Sequence, residues 1–239
     1  MSIALIEAHN LGRRFGGIVA VHGLDLVVQP GELVGLIGPN GSGKTTSINM
    51  LTGHLAPDSG EIRVKGARAD GLPPSRFAAL RVGRTFQITQ LFSRMSVLEN
   101  LLVPGLARAH SHWADARRQA RQHLEFLGLA RLENLPAKNL SGGQQKLLEL
   151  GRALMLDPEI LFLDEPFAGV NPFLRDEIID LVRKLHAEGR TFVIVDHDLE
   201  AIQRLVMRLV VMARGRKIAD GSVEEVRQDQ EVLRAYAGT

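Results

Sequence analysis

Gly38-Pro39-Asn40-Gly41-Ser42-Gly43-Lys44-Thr45 follows the apolar run Leu33 to Ile37 and leads into Thr46 to Leu51, a stretch with helical character. It fits the pattern G-x-x-x-x-G-K-[ST], and it stands where that pattern needs to stand, after a predicted strand and opening a predicted helix over Lys44 to Leu51. With glycine near 7% of residues, its four fixed positions recur by chance in about one chain of this length in a hundred. Gly38, Gly41 and Gly43 let the backbone wrap close to phosphate oxygens, and its N–H groups and the helix dipole receive the negative charge. Lys44 then reaches the β/γ-phosphates and Thr45 ligates Mg2+. A glycine-rich turn ahead of a helix is the plain alternative. Residues 38 to 46, with Pro39, Asn40, Ser42 and Thr46 among them, are the candidate nucleotide-binding segment.

Outward from this loop, the apolar runs Leu33 to Ile37, Ile160 to Leu163 and Phe192 to Val195 have the pattern of strands buried on both faces of a parallel sheet. Strands are also predicted at Ile3 to Ala8 and Val21 to Val28, the latter alternating through Leu24, Leu26 and Val28 before a turn at Pro30-Gly31, which makes an antiparallel start. Helices are predicted at Pro172 to Glu188, with Asn171 as N-cap and Gly189 beyond its end, and at Asp198 to Leu205. The segment from about Ile88 to Leu140 lacks strand patterning and reads as helical, broken at Pro104 and Pro136 and inserted between sheet strands. A hairpin, Leu209 to Met212 with Lys217 to Ala219 around Gly215, precedes a helix whose Ser222 and Glu225 form a capping box.

The whole is an α/β chain. At 239 residues and 45% apolar it can bury a core unaided, and with no cysteine it has neither a disulfide framework nor a thiolate metal site. No secretory signal is visible, and no apolar run approaches the roughly 18 to 20 residues of a membrane-spanning helix. A net charge of +2 gives no reason to expect nucleic acid as a partner. The basic cluster from Arg108 to Arg121, with His110, His112, Arg117 and Arg118, reads as a solvated helix face, with a basic contact surface as the rival.

Two further motifs carry chemistry. Leu161-Phe162-Leu163-Asp164-Glu165 delivers two carboxylates at the end of an apolar strand, the edge where open α/β sheets bind ligands. Asp164 is placed to hold Mg2+ through water, and Glu165 to polarise the attacking water as general base. Leu140-Ser141-Gly142-Gly143-Gln144 precedes a helical run from Gln145 to Met155, so Ser141 and the following glycines make a second anion site at a helix N-terminus. One ATP cannot use two such loops from one compact chain, and the second loop therefore implies a partner. A plain helix N-cap is its bland reading.

The phosphate loop, the Leu-Ser-Gly-Gly-Gln string and the strand ending Asp164-Glu165, in that order, resemble the ABC ATPase cassette over essentially the whole chain. That resemblance implies a phosphate-loop ATPase core with a mixed sheet, an antiparallel N-terminal part and an inserted helical subdomain. The core is expected over 1–87 and 141–239, and the subdomain over 88–140. It implies ATP and Mg2+ as cofactors, with Gln87 as the residue that senses Mg2+ and the γ-phosphate. His197 matches the histidine that contacts the γ-phosphate, and Phe15 the aromatic residue that stacks on adenine, with a buried core phenylalanine as the alternative. Ser141, Gly142, Gly143 and Gln144 would face the nucleotide of a second ATPase subunit. Asn171 departs from the aspartate many cassettes carry there.

Phe15-Gly16-Gly17, Arg84-Thr85-Phe86-Gln87, Leu98-Glu99-Asn100-Leu101, Phe167 to Pro172, Asp196-His197-Asp198 and Ile218 to Gly221 together resemble the branched-chain amino acid importer ATPases. Asp196 stands where that family usually has glutamate, and the stretch from Val103 to His123 is shorter. The resemblance implies a subunit at the cytoplasmic face of the inner or plasma membrane, energising separate permease subunits and, through them, served by a substrate-binding protein. An exporter ATPase and a soluble, non-transport ABC ATPase are the alternatives.

Overall fold

A computed structural model of the chain describes residues 3–107, 112–197 and 199–237. One sheet is antiparallel, in the order β2-β1-β4-β5, from β1 (Ile6–Phe15), β2 (Ile18–Val28), β4 (Ser59–Val64) and β5 (Ala67–Arg68). The other comprises β3 (Leu33–Ile37), β6 (Val82–Arg84), β7 (Ile160–Asp164), β8 (Thr191–Val195), β9 (Arg208–Ala213) and β10 (Arg216–Ser222). Its order is β10-β9-β3-β8-β7-β6, and every pairing is parallel except β9 with β10.

The three apolar runs are β3, β7 and β8, and all of their residues are buried. Alternation then divides them between two cores. Val34, Leu36, Ile160, Phe162, Val193 and Val195 face the antiparallel sheet and Ile48, Met50 and Leu51 of α1 (Lys44–Leu51). Leu33, Ile37, Leu161, Leu163, Phe192 and Ile194 face the other core, built with α3 (Val97–Ala107), α4 (Trp113–Phe126), α5 (Gly142–Leu154) and α6 (Pro172–Ala187). Asn171 caps α6 by accepting the Leu174 N–H at 2.9 Å, with Pro172 in the first turn. Ser222 and Glu225 form the capping box of α8 (Val223–Gln228), and α9 (Gln230–Ala237) follows.

Several expectations change. The first two strands extend to Phe15 and begin at Ile18, because their ends form an exposed hairpin that no burial alternation marks. β4, β5 and β6 carry no long apolar run and were not expected; β6 contains only Val82, Gly83 and Arg84, and its pairing with β7 makes it a strand. Pro104 lies inside α3 instead of breaking it. The proline removes one backbone bond, and burial of Val97, Leu98, Leu101 and Leu102 outweighs that loss. The predicted helix from Asp198 is α7 (Leu199–Gln203), and Asp198 itself lies outside the described residues. Arg108 and His110 lie outside them too; on α4, Arg118 pairs with Asp115 and Arg121 with Glu133, as on a solvated face. Among the described residues no helix is long and apolar enough to cross a membrane.

Candidate nucleotide and catalytic site

The parallel order places the C-terminal ends of β3, β7 and β8 side by side, and the candidate residues leave from those ends. At the end of β3 the loop turns sharply. Gly38 has φ 149° and an added Cβ would lie 2.1 Å from the Met212 carbonyl oxygen; Gly43 has φ 103° and an added Cβ would lie 2.5 Å from that of Ala20. Neither position can carry a side chain without moving backbone. Pro39, Asn40 and Gly41 line a cleft beside the loop together with buried Ser42. Thr45 and Thr46 are the second and third residues of α1, with Thr45 exposed.

Lys44 opens α1 and is buried. Its ammonium donates to the carbonyl oxygens of Gly38 at 2.7 Å and Pro39 at 3.0 Å. Burial lowers its pKa, against the charges of Glu165, Asp164 and Asp196, which raise it. A cation folded over a glycine cradle, facing three carboxylates, fits a site for a polyanion with a metal ion.

At the end of β7, Asp164 is 2% exposed and its Oδ2 accepts from Arg84 Nη2 at 2.8 Å. Arg84 also donates through Nη1 to Asn49 Oδ1 at 2.6 Å and Thr52 Oγ1 at 3.1 Å, and lies over the Phe86 ring. The ion pair engages Oδ2 of Asp164, and the carboxylate's second oxygen is the one on which a hydrated cation could draw. The Thr45 hydroxyl, the Gln87 amide oxygen and this carboxylate oxygen are all of the donor type Mg2+ prefers, an ion that takes few protein ligands and completes its shell with phosphate and water.

Glu165 follows in the left-handed region at φ 49°, uncommon for a side-chain-bearing residue. Three bonds hold its backbone there: its N–H donates to the Val195 carbonyl at 2.7 Å, and its own carbonyl accepts from Lys146 Nζ of α5 at 2.8 Å and from the Ala168 N–H at 3.2 Å. Its Oε2 accepts from Gln87 Nε2 at 3.0 Å and lies 3.9 Å from His197 Nδ1. Two residues from distant parts of the chain, Gln87 by a hydrogen bond and His197 at longer range, thus approach one oxygen of Glu165, and His197 Nδ1 also lies 3.4 Å from Asp196 Oδ1. Beside them Asp196 is fully buried, with Oδ1 accepting the His197 N–H at 2.8 Å and Oδ2 the Phe167 N–H at 2.9 Å. The shorter acid found here in place of glutamate therefore ties the end of β8 to the turn after Glu165.

Ser141 and Gln144 close a capping box on α5: Ser141 Oγ accepts the Gln144 N–H at 3.3 Å and Gln144 Oε1 accepts the Ser141 N–H at 3.0 Å. Gly142 and Gly143 are the first two residues of α5, so their amides open its N-terminus. Among the described residues, no hydrogen bond or ion pair joins Ser141, Gly142, Gly143 or Gln144 to residues 38–46. Phe15 is 47% exposed at the β1–β2 turn, with the Arg13 guanidinium 5.1 Å from its ring centre, so the alternative of a buried core phenylalanine is excluded.

The sequence reading missed Lys146 and Glu149, and it met Arg84 only as part of a family string. All three act through contacts with residues far away in the chain, which no local spacing announces.

The fold and this loop-and-strand-end arrangement define a class. The chain belongs to the ABC transporter family, whose model matches residues 21–168, and it is an ATP-binding, ATPase-type subunit of that class. Within the class it is 38% identical over 256 aligned positions to the high-affinity branched-chain amino acid transport ATP-binding protein LivG of Escherichia coli, covering 100% of this chain and 99% of that protein. A crystal structure of the ADP conformation of an ATP-binding cassette of an ABC transporter superposes with a TM-score of 0.89 at 36% identity, covering 100% of each chain. The dimeric post-hydrolysis state of another cassette, bound to ADP and phosphate, gives 0.82 at 27% identity, covering 91% of this chain and 98% of that one.

Proposed function

We propose that this chain hydrolyses ATP to energise import of branched-chain or related amino acids through separate permease subunits at the cytoplasmic face of the membrane. The observation that carries the catalytic part is the hydrogen bond from Gln87 Nε2 to Glu165 Oε2 at 3.0 Å, with the His197 ring beside it, its Nδ1 3.9 Å from that oxygen and 3.4 Å from Asp196 Oδ1. Lys44 and the backbone N–H groups of residues 40 to 46 bind the phosphates, and Phe15 offers an exposed ring to the adenine. Thr45, Asp164 and Gln87 would hold Mg2+, whose charge screens the phosphate oxygens when it is bound. Glu165 takes the proton of the attacking water, Gln87 orients that carboxylate, and His197 donates toward the γ-phosphate.

The N-terminus of α5, with Ser141 and Gly142 exposed, makes no hydrogen bond to the chain's own phosphate loop among the described residues, an arrangement suited to the nucleotide of a second subunit. The relative captured as a dimer supports that reading. A groove of about 570 Å³ lined by Phe86, Gln90, Phe92, Pro104 and Arg152, beside the 80% exposed Ile88, offers the permease a surface adjacent to Gln87. On this reading residues 88–140 form the subdomain that passes site closure to the permease.

Turnover and association of a Glu165→Gln variant test the proposal. The variant should bind ATP with parental affinity, lose hydrolysis by at least about a hundredfold, and accumulate as an ATP-bound dimer on size-exclusion chromatography. Parental turnover would remove Glu165 from the mechanism, and a monomer at saturating ATP would remove the two-subunit site. Uptake of leucine, isoleucine and valine into vesicles carrying the cognate permease tests the substrate class.

A further inference from the structure

The loop that carries Gln87 has little regular structure of its own. Residues 85 to 95 form neither helix nor strand, so their backbone groups need partners from elsewhere. Side chains supply them. Asn100 of α3 accepts the Phe92 N–H at 2.9 Å and donates to the Phe92 carbonyl at 3.1 Å. Arg152 of α5 donates to the Gln90 carbonyl and lies over the Phe92 ring. Nearest Gln87 the partner is Glu149, also on α5. Its Oε1 accepts the Phe86 N–H at 3.2 Å and the Gln90 N–H at 3.4 Å.

Glu149 is an unusual residue to find there. It is 6% exposed, and its neighbours on α5, Leu147, Leu148 and Leu150, belong to the apolar core. Burial pushes its carboxyl up to about 7, against the two amides and the charges of Arg152 and Lys146, which lower it; Arg84 is the third cation facing it. No ion pair neutralises it among the described residues. Burying an acid costs free energy that an apolar side chain at this position would not. What the carboxylate does with that burial is hold the backbone on both sides of Gln87. The same helix starts at the Ser141 cap and sends Lys146 to the Glu165 carbonyl, so α5 grips both partners of the Gln87–Glu165 hydrogen bond.

We propose that Glu149 is a positioning residue for ATP hydrolysis: it pins the amides flanking Gln87 to the helix that begins at Ser141, and so holds Gln87 against Glu165. This rests on the catalytic role proposed above for Gln87. A geometric displacement of a catalytic group by about 1 Å costs up to about a hundredfold in rate, which sets the scale of the expected effect.

The test compares Glu149→Ala, Glu149→Gln and Gln87→Ala with the parent in the full-length ATPase, measuring kcat, KM for MgATP and the thermal transition. Glu149→Ala should lower kcat between about 10- and 100-fold with KM within about twofold, since the phosphate loop is untouched. Glu149→Gln keeps a carbonyl oxygen able to accept from both amides and should restore kcat to within about threefold of the parent. A structural defect would lower the transition temperature of Glu149→Ala and leave kcat of the folded fraction unchanged, and that result overturns the proposal. So does a Glu149→Gln variant as slow as Glu149→Ala, or parental kcat in both. Gln87→Ala separates the two readings: parental kcat there overturns the role of Gln87 itself, whereas a slow Gln87→Ala beside a parental Glu149→Ala overturns only the role of Glu149.

Discussion

Arg84 and Asp164 form an ion pair at 2.8 Å in which the two side chains are 6% and 2% exposed. They lie on adjacent parallel strands, 80 residues apart in the chain, and meet because β6 pairs with β7. Burial lowers the Arg84 pKa, and the bond to Asp164 opposes the shift.

Removing one member of such a pair leaves the other charge buried without a partner. Arg84→Ala should therefore destabilise the protein by about 3 to 5 kcal/mol, read as the shift in denaturant midpoint at constant slope. Arg84→Lys keeps the charge but not the fork that reaches Asn49, Thr52 and Asp164 together, and it should recover only part of the loss. A change below about 1 kcal/mol in Arg84→Ala would mean that Asp164 finds another partner at no cost.

Asn171 is the position at which the chain departs from the aspartate of many cassettes, and here its side chain caps α6. Aspartate caps as well as asparagine does. Asn171→Asp should leave stability within about 0.5 kcal/mol of the parent, while Asn171→Ala should lose about 1 kcal/mol. Equal stability in all three proteins would show that the cap contributes nothing.

His123 is lowered from 6.5 to about 4, by burial first and then by Arg190, with Asp157 opposing. Its Nε2 is buried without a hydrogen-bond partner among the described residues. The unfolded chain takes up the proton near 6.5 and the folded chain resists it to about 4, so this group's contribution is present above pH 6.5 and is lost as pH falls toward 4. The loss is at most about 3 kcal/mol. Glu149 works with the opposite sign, since its raised carboxyl favours folding at low pH and loses that contribution as pH rises through about 7. His123→Gln should flatten the acid limb of a stability-against-pH curve between pH 6.5 and 4, and an unchanged limb would assign that loss to other groups.

Much of this architecture is legible residue by residue. Leu33 to Ile37 is apolar throughout because both faces of β3 are covered, and such a run advertises a buried strand whatever surrounds it. The phosphate loop is equally local: Gly38 and Gly43 are required by backbone angles and close carbonyls within one turn of chain. Capping at Asn171 and Ser222 is read over three or four residues and appears as expected. By contrast β6 is a strand only because β7 lies beside it, and Pro104 is tolerated only because α3 has a core to pack on.

The site divides along the same line. Lys44, Asp164, Glu165 and the Ser141 string were recognisable in the sequence because their chemistry is carried by short, ordered motifs. Pairing of Arg84 with Asp164, the approach of Gln87 and His197 to one oxygen of Glu165, and the hold of Glu149 on the Gln87 loop came only with the tertiary structure. The physical reason is range. Backbone angles, caps and apolar periodicity are settled within a few residues, whereas the partner of a buried charge is chosen by strand order and helix packing, which bring together side chains that nothing in the local sequence connects.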